Sequence, residues 1–275
     1  MDTLIQALVM GLVQGLTEFL PVSSSGHLVI VPALLGWTDP FINSLEFSVM
    51  IHIGTLVALL MYFRRDWVRL VPAGLAALRD RSFDGDPDRR LAWLIVAATI
   101  PAALAGLVFN DLIEERFREV VLVAIMLVVG GAILFAAERR GSRTRTIAGL
   151  SVPTALAIGA AQALALVPGL SRSGISIAAG LFAGLERQEA ARFSFLMATP
   201  ITGAAVVYET GKLLSGGAGV TVDFAPLAVG VLAALVSGLV AIAALLRLLH
   251  AHSTDVFVLY RLILAAVVLA VVFVR

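Results

Sequence analysis

Apolar residues run along this chain in long blocks separated by short polar ones. Six blocks are long enough to cross about 30 Å of hydrocarbon as helices. They predict crossings at 45–63, 91–109, 119–137, 191–211, 226–246 and 255–274. Two further apolar stretches, 3–35 and 150–185, are interrupted near their middles by Pro, Gly and Ser. Each half has about 15 residues, too short to span. Broken pairs of this kind predict re-entrant hairpins, whose irregular backbone is buried at membrane depth. The polar stretch 64–90, with F-D-G-D-P-D near its end, reads as a short excursion and not a domain.

Composition agrees with the pattern. Of 275 residues 60% are apolar and 14% charged, against about 25% charged in soluble domains, and mean hydropathy is +0.99. An ordinary soluble enzyme and a disordered chain are excluded. A net charge of +1 provides no basic field for nucleic acid. The absence of cysteine removes disulfides, thiolate zinc sites and cysteine nucleophiles. The apolar N-terminal stretch has no early Lys or Arg and carries Gln14, Glu18, Pro21 and His27, so a cleavable export signal is not expected.

The loops at 64–90, 138–146, 186–192 and 247–254 hold fourteen of the twenty Lys and Arg residues, and the opposite side holds four. The fourteen-residue side is expected to be cytoplasmic. Both termini and the acidic 110–118 loop then face outward, and the two hairpins enter from opposite faces. A shift of 148 residues superposes Gly11 on Gly159, Gln14 on Gln162, Ser23 on Ser171, Ser25 on Ser173, Gly26 on Gly174 and Gly36 on Gly184. Each copy has one hairpin and three crossings. Three is odd, so the second copy must be inverted. The expected fold is an all-α polytopic membrane protein of two inverted-topology repeats, 1–137 and 150–275, forming one integral membrane domain over 1–275.

The first hairpin carries Q-G-L-T-E-F-L-P-V-S-S-S-G-H from Gln14 to His27. Gln14 and Glu18 share a helix face. Pro21 ends that helix, and the serines begin a second one whose free N–H groups attract an anion. Acid and imidazole in an apolar hairpin are costly unless paired or wet, which marks the cluster as functional. The second hairpin carries P-G-L-S-R-S-G-I-S from Pro168 to Ser176, and Arg172 occupies the place that Ser24 holds in the first. Its planar fork of donors suits phosphate. Ser23, Ser25, Gly26, Gly169, Ser171, Ser173 and Gly174 are the candidate phosphate-binding residues around the two turns. An Arg172–Glu18 ion pair across the repeat axis is the plainer alternative, and the two can coexist. The hairpin tips are expected to meet. With a carboxylate beside a phosphate, either the acid is protonated or a divalent cation bridges them, and magnesium or calcium suits these ligands.

These motifs resemble the undecaprenyl-diphosphate phosphatase family, the bacitracin-resistance membrane phosphatases. The resemblance extends to F-S-V-M-I-H-I-G-T at 47–55, R-F-S-F-L-M-A-T-P-I at 192–201 and Y-R at 260–261. It implies hydrolysis of undecaprenyl diphosphate to the monophosphate and inorganic phosphate, recycling the lipid carrier for envelope polymers. It also implies a divalent cation and a site opening to the outer, periplasmic side of the bacterial inner membrane. The family's acidic metal-binding motif falls on Gln14 and Glu18, Gln14 being its neutral variant. Its essential serine, histidine and arginine fall on Ser24, His27 and Arg172. The expected partners are the lipid substrate and the bilayer, with a homodimer left open and no nucleic acid.

Ser24 is the candidate nucleophile, and His27, three residues on, the candidate proton carrier. Attack by water or by His27 is left open. A flippase for polyprenyl phosphate is the rival class, since transporters are built from the same broken repeats. It needs the cation but no nucleophile. His52 reads as a neutral, hydrogen-bonded histidine, Arg261 as a side chain that snorkels to the interface, and His250 and His252 as loop residues without chemistry.

Overall fold

A computed structural model describes residues 2–83, 85–116, 119–214 and 222–274, with side chains at 110–116, 209 and 212–214 left undescribed. The described chain is helical, with one isolated bridge pairing Arg145 and Leu185. The order is α1 Thr3–Phe19, α2 Ser24–Leu35, α3 Leu45–Met50, α4 His52–Tyr62, α5 Arg64–Asp80, α6 Pro87–Arg116, α7 Val120–Arg140, α8 Val152–Gln162, α9 Arg172–Phe182, α10 Arg187–Leu214, α11 Phe224–Ala251 and α12 Asp255–Val274. Among the described residues six spans are long and apolar enough to cross a membrane: Leu45–Tyr62, Pro87–Phe109, Val120–Arg140, Arg187–Tyr208, Phe224–Ala251 and Asp255–Val274. They coincide with the six crossings that the hydropathy pattern predicts. Helices α1, α2 and α8 with its 3₁₀ extension Ala163–Leu166 are shorter apolar elements, and with α9 they form the two hairpins. The chain is an all-helical, multi-pass membrane protein.

Two stretches differ from expectation. The 64–90 excursion contains a regular helix, α5, because Leu70, Ala73 and Ala77 recur on one face and bury against the molecule. Arg81 and Gly85, both at positive φ, lie between it and α6. The expected 110–118 loop is helical through Arg116, where α6 ends. Residues 117 and 118, the side chains at 110–118 and Arg275 lie outside the described residues.

The two halves exchange partners. α1 packs chiefly on α11, and α8 chiefly on α6. Both contacts are close because a glycine faces a backbone carbonyl: Gly11 meets that of Gly230, and Gly159 that of Ala98. A Cβ at either position would collide with main chain, so these small residues set the helix separation. The large core contains Phe19, Phe63, Phe193 and Phe195, with the ring of Phe19 edge-on to that of Phe195 at 5.5 Å. That ring contact links the end of α1 to α10. At one end of the bundle Glu138, 1% exposed, accepts hydrogen bonds from Arg143 at 2.6 Å, from Arg187, and from the backbone N–H and hydroxyl of Thr254 at 3.1 and 2.9 Å. One carboxylate thereby ties α7 to the starts of α10 and α12.

Candidate active site

The site begins with two matching turns. Pro21 follows α1, and the chain reverses through Ser23, whose φ is +78°. In the second hairpin Ser171 does the same, with φ +72°. Neither is glycine, and a left-handed conformation at such a residue costs about 1–3 kcal/mol. Each serine offsets part of that cost by capping the next helix: Ser23 Oγ accepts from Gly26 N at 3.3 Å, and Ser171 Oγ from Gly174 N at 3.1 Å. The first helical residue after each cap is Ser24 in one hairpin and Arg172 in the other.

The tips meet, as their pairing in sequence implies. Gly169 N donates to Ser23 Oγ at 3.2 Å, and Ser173 Oγ donates to the carbonyl of Leu20 at 3.1 Å. Glu18, 6% exposed near the end of α1, is the centre of the contact. Its Oε1 accepts from Arg172 at 2.7 Å. Its Oε2 accepts from Ser24 Oγ at 2.5 Å and from Gln14 Nε2 at 3.0 Å. His52 Nε2 stands 3.5 Å from the same oxygen. The second ring nitrogen of His52 is fixed 2.7 Å from the carbonyl of Ser48, which orients the imidazole. The Arg172–Glu18 ion pair is therefore present, and it leaves Arg172 Nη1 buried without a partner.

Glu18, Ser24, Ser25, His52, Gln162 and Arg172 line a cavity of about 260 Å³, with an apolar wall that includes Ala102, Leu166 and Ile201; Gln14, fully buried, stands behind Glu18 and is not among the lining residues. Of the seven candidate phosphate-binding residues, Ser25 lines it. Ser23, Gly26, Gly169, Ser171, Ser173 and Gly174 form and lock the turns beside it. His27 is not among the lining residues. Its Nδ1 lies 2.6 Å from the carbonyl of Ser23 and its Nε2 2.7 Å from the Tyr260 hydroxyl, with the two rings stacked at 5.7 Å.

Three groups that shape this site are not placed in it by the sequence pattern. His52 faces Glu18, which could have been suspected only by placing α4 beside α1. Gln162 lines the cavity and was visible as the repeat mate of Gln14. Arg261 does not snorkel: it is 0% exposed, and its Nη2 donates to the carbonyls of Gly169 and Leu170 at 2.8 and 2.7 Å. A guanidinium that finds two carbonyls of a turn with no internal partners for them is held inside the protein. Among the described residues no group of three or more His, Asp or Glu is placed to hold a metal.

The chain is 46% identical over 269 residues to an undecaprenyl-diphosphatase of Gemmatimonas aurantiaca, covering 98% of this chain and 97% of that one. It is 45% identical to the undecaprenyl-diphosphatase of Myxococcus xanthus, over 97% and 88% of the two chains, and 44% identical to that of Geobacter sulfurreducens, over 99% of each. The model of the family described as bacitracin resistance protein BacA matches residues 7–267, a stretch that contains both hairpins and every residue of the cavity, and the chain belongs to that family.

Proposed function

We propose that the protein hydrolyses undecaprenyl diphosphate to undecaprenyl phosphate and inorganic phosphate, returning the lipid carrier to envelope synthesis. The observation that carries this reading is the hydroxyl of Ser24 held on the carboxylate of Glu18, with Arg172 on the other oxygen of the same group. A carrier of lipid phosphates needs the cation but has no use for a hydroxyl bound to a base. The names of the relatives support the same substrate.

Arg172 offers its unpartnered Nη1 to the terminal phosphate. Phosphoryl transfer depends mainly on positioning and charge neutralisation, and a guanidinium in a low-dielectric cavity provides both. Ser24 Oγ then attacks the terminal phosphorus. The new O–P bond forms as the bond to the bridging oxygen breaks, Glu18 takes the hydroxyl proton, and undecaprenyl phosphate leaves. Water then attacks the phosphoserine: the Ser24 O–P bond breaks, Oγ takes back the proton held by Glu18, and inorganic phosphate leaves with the oxygen and both hydrogens of the water. The dipole of α2, whose first residue is Ser24, favours the negative charge that collects there. His27 holds the carbonyl of Ser23 and Tyr260 together and so fixes the turn that aims Ser24. That is a positioning role, away from the reacting atoms.

A divalent cation fits the residues present. Glu18 offers one carboxylate, and Gln14 Oε1 is a buried carbonyl oxygen without a partner. Magnesium and calcium accept such oxygens and take the rest of their shell from substrate phosphate and water. Glu18 and Gln14 would hold the ion, which when bound would neutralise charge on the diphosphate.

The paired turns, the Gln14–Gln162 correspondence and the exchanged packing of α1 and α8 support two inverted repeats. The arginine-rich loops support cytoplasmic placement of that face in the inner membrane, with both termini and the site mouth outward. Phosphate release from undecaprenyl diphosphate by purified protein in detergent, with and without chelator, tests the reading. Release that the chelator suppresses is expected, and its absence would overturn the assignment.

A further inference from the structure

We propose that Gln162 binds the lipid-side phosphate of the diphosphate, so that the cavity holds the lipid phosphate and free phosphate at separate points. The inference rests on the diphosphatase reading of the cavity. Gln162 is 2% exposed and lines the cavity that contains Glu18, Ser24 and Arg172. Neither its Nε2 nor its Oε1 has a hydrogen-bond partner. Buried amides are almost always satisfied, so one that is not, on a residue that lines a cavity, calls for an explanation.

The internal repeat gives it. In the first half Gln14 donates Nε2 to Glu18, four residues on and on the same helix face. Four residues on from Gln162 stands Leu166, at the end of the 3₁₀ turn that follows α8. The acceptor that satisfies the first amide is replaced by an apolar side chain, and the second amide is left for a ligand. Its neighbours show which part of the ligand. Ala165 and Leu166, on the next turn of the same segment, line the cavity together with Ala102, Ile201 and Ala205. This wall suits a hydrocarbon chain, while Ser24 and Arg172 face the phosphate to be removed. Gln162 stands one turn from the apolar segment, and the phosphate attached to the lipid is the one it reaches. Its two N–H donors then bind a group that substrate and lipid product share and inorganic phosphate does not replace.

The test compares wild type with Gln162→Leu and Gln162→Met, reading KM for undecaprenyl diphosphate, inhibition by undecaprenyl phosphate, inhibition by inorganic phosphate, and melting temperature. Loss of a hydrogen bond to a charged phosphate should raise KM about tenfold and weaken inhibition by the lipid phosphate to a similar extent. Inhibition by inorganic phosphate should stay as in wild type. Melting temperature should hold or rise, because an apolar side chain of similar size removes a buried unsatisfied amide. Active variants with wild-type KM and wild-type inhibition by the lipid phosphate would overturn the assignment, as would equal weakening of both inhibitors. Failure of both variants to fold would make Gln162 a structural residue and overturn it too. Wild-type protein that releases no phosphate would remove the underlying reading and this inference with it, a result distinct from a Gln162 variant indistinguishable from an active wild type.

Discussion

Ser24 Oγ lies 2.5 Å from Glu18 Oε2 and joins the first residue of α2 to the last turn of α1. The bond exists because Pro21 and the left-handed Ser23 fold the second helix back on the first. The same carboxylate receives Arg172 from the other hairpin at 2.7 Å. Hydroxyl, base and cation thus come from three turns of helix that cannot be separated without opening both hairpins.

Replacing Arg172 by lysine keeps the charge and loses the fork. A single ammonium on a flexible stem lacks the fixed planar spacing with which Nη2 meets Glu18 while Nη1 meets a phosphate. Removal of a donor aimed at the transition state costs about 2–4 kcal/mol, roughly a 30- to 1000-fold loss of rate. The measurement is turnover at saturating substrate and metal; a lysine variant as fast as wild type removes Arg172 from the reaction.

Glu18→Gln preserves the shape of the group that Gln14, Ser24 and Arg172 surround, and removes its charge. Phosphate release should fall below detection, or recover only at a much higher concentration of divalent ion, because a hard cation needs the carboxylate. Gln14→Ala should act more mildly, raising the metal requirement with partial activity. The check is a metal titration alongside melting temperature, since Arg172 facing a neutral amide also costs stability. Unchanged rate and metal dependence in a folded Glu18→Gln protein would reduce Glu18 to a structural partner.

The crossings and hairpins were legible because hydropathy and Pro, Gly and Ser breaks act locally. The paired turns were legible because the repeat placed Ser23 opposite Ser171 and Ser24 opposite Arg172. What could not be read was lateral packing. Whether His52 on α4 faces Glu18, and whether Arg261 on α12 turns outward or inward, depends on which helices lie side by side. Hydropathy does not encode that. The apparent helix-end position of Arg261 suggested an interface, but the bare carbonyls of Gly169 and Leu170 take it into the protein. The amphipathic α5 was missed because its charged residues dominate the average while Leu70, Ala73 and Ala77 carry the fold.

Arg261→Met should destabilise the protein without altering any group in the cavity. The change strips both carbonyls of their donor inside the protein, at about 1–3 kcal/mol for each buried group left unsatisfied. Thermal unfolding in detergent should show a lowered midpoint, with turnover falling as the second hairpin loosens. A midpoint equal to that of wild type would mean that water or other donors replace the guanidinium.

Glu138→Ala should also be a structural lesion. It leaves Arg143 and Arg187 without their acceptor and frees the N–H and hydroxyl of Thr254. Breaking a buried ion pair by removing one partner costs about 3–5 kcal/mol. Folded protein recovered at a low temperature should keep its wild-type KM, because the cluster lies away from the cavity; a selective change in KM would contradict that separation.

Ser24 is the attacking group within a site made by both hairpins, and its removal is the decisive change. The most direct measurement is phosphate release from undecaprenyl diphosphate by wild type and Ser24→Ala, purified together and shown to melt alike. Wild type should release phosphate in a metal-dependent manner, and loss of the nucleophile should slow release by at least about 1000-fold. A folded Ser24→Ala protein that releases phosphate at the wild-type rate would contradict a serine nucleophile.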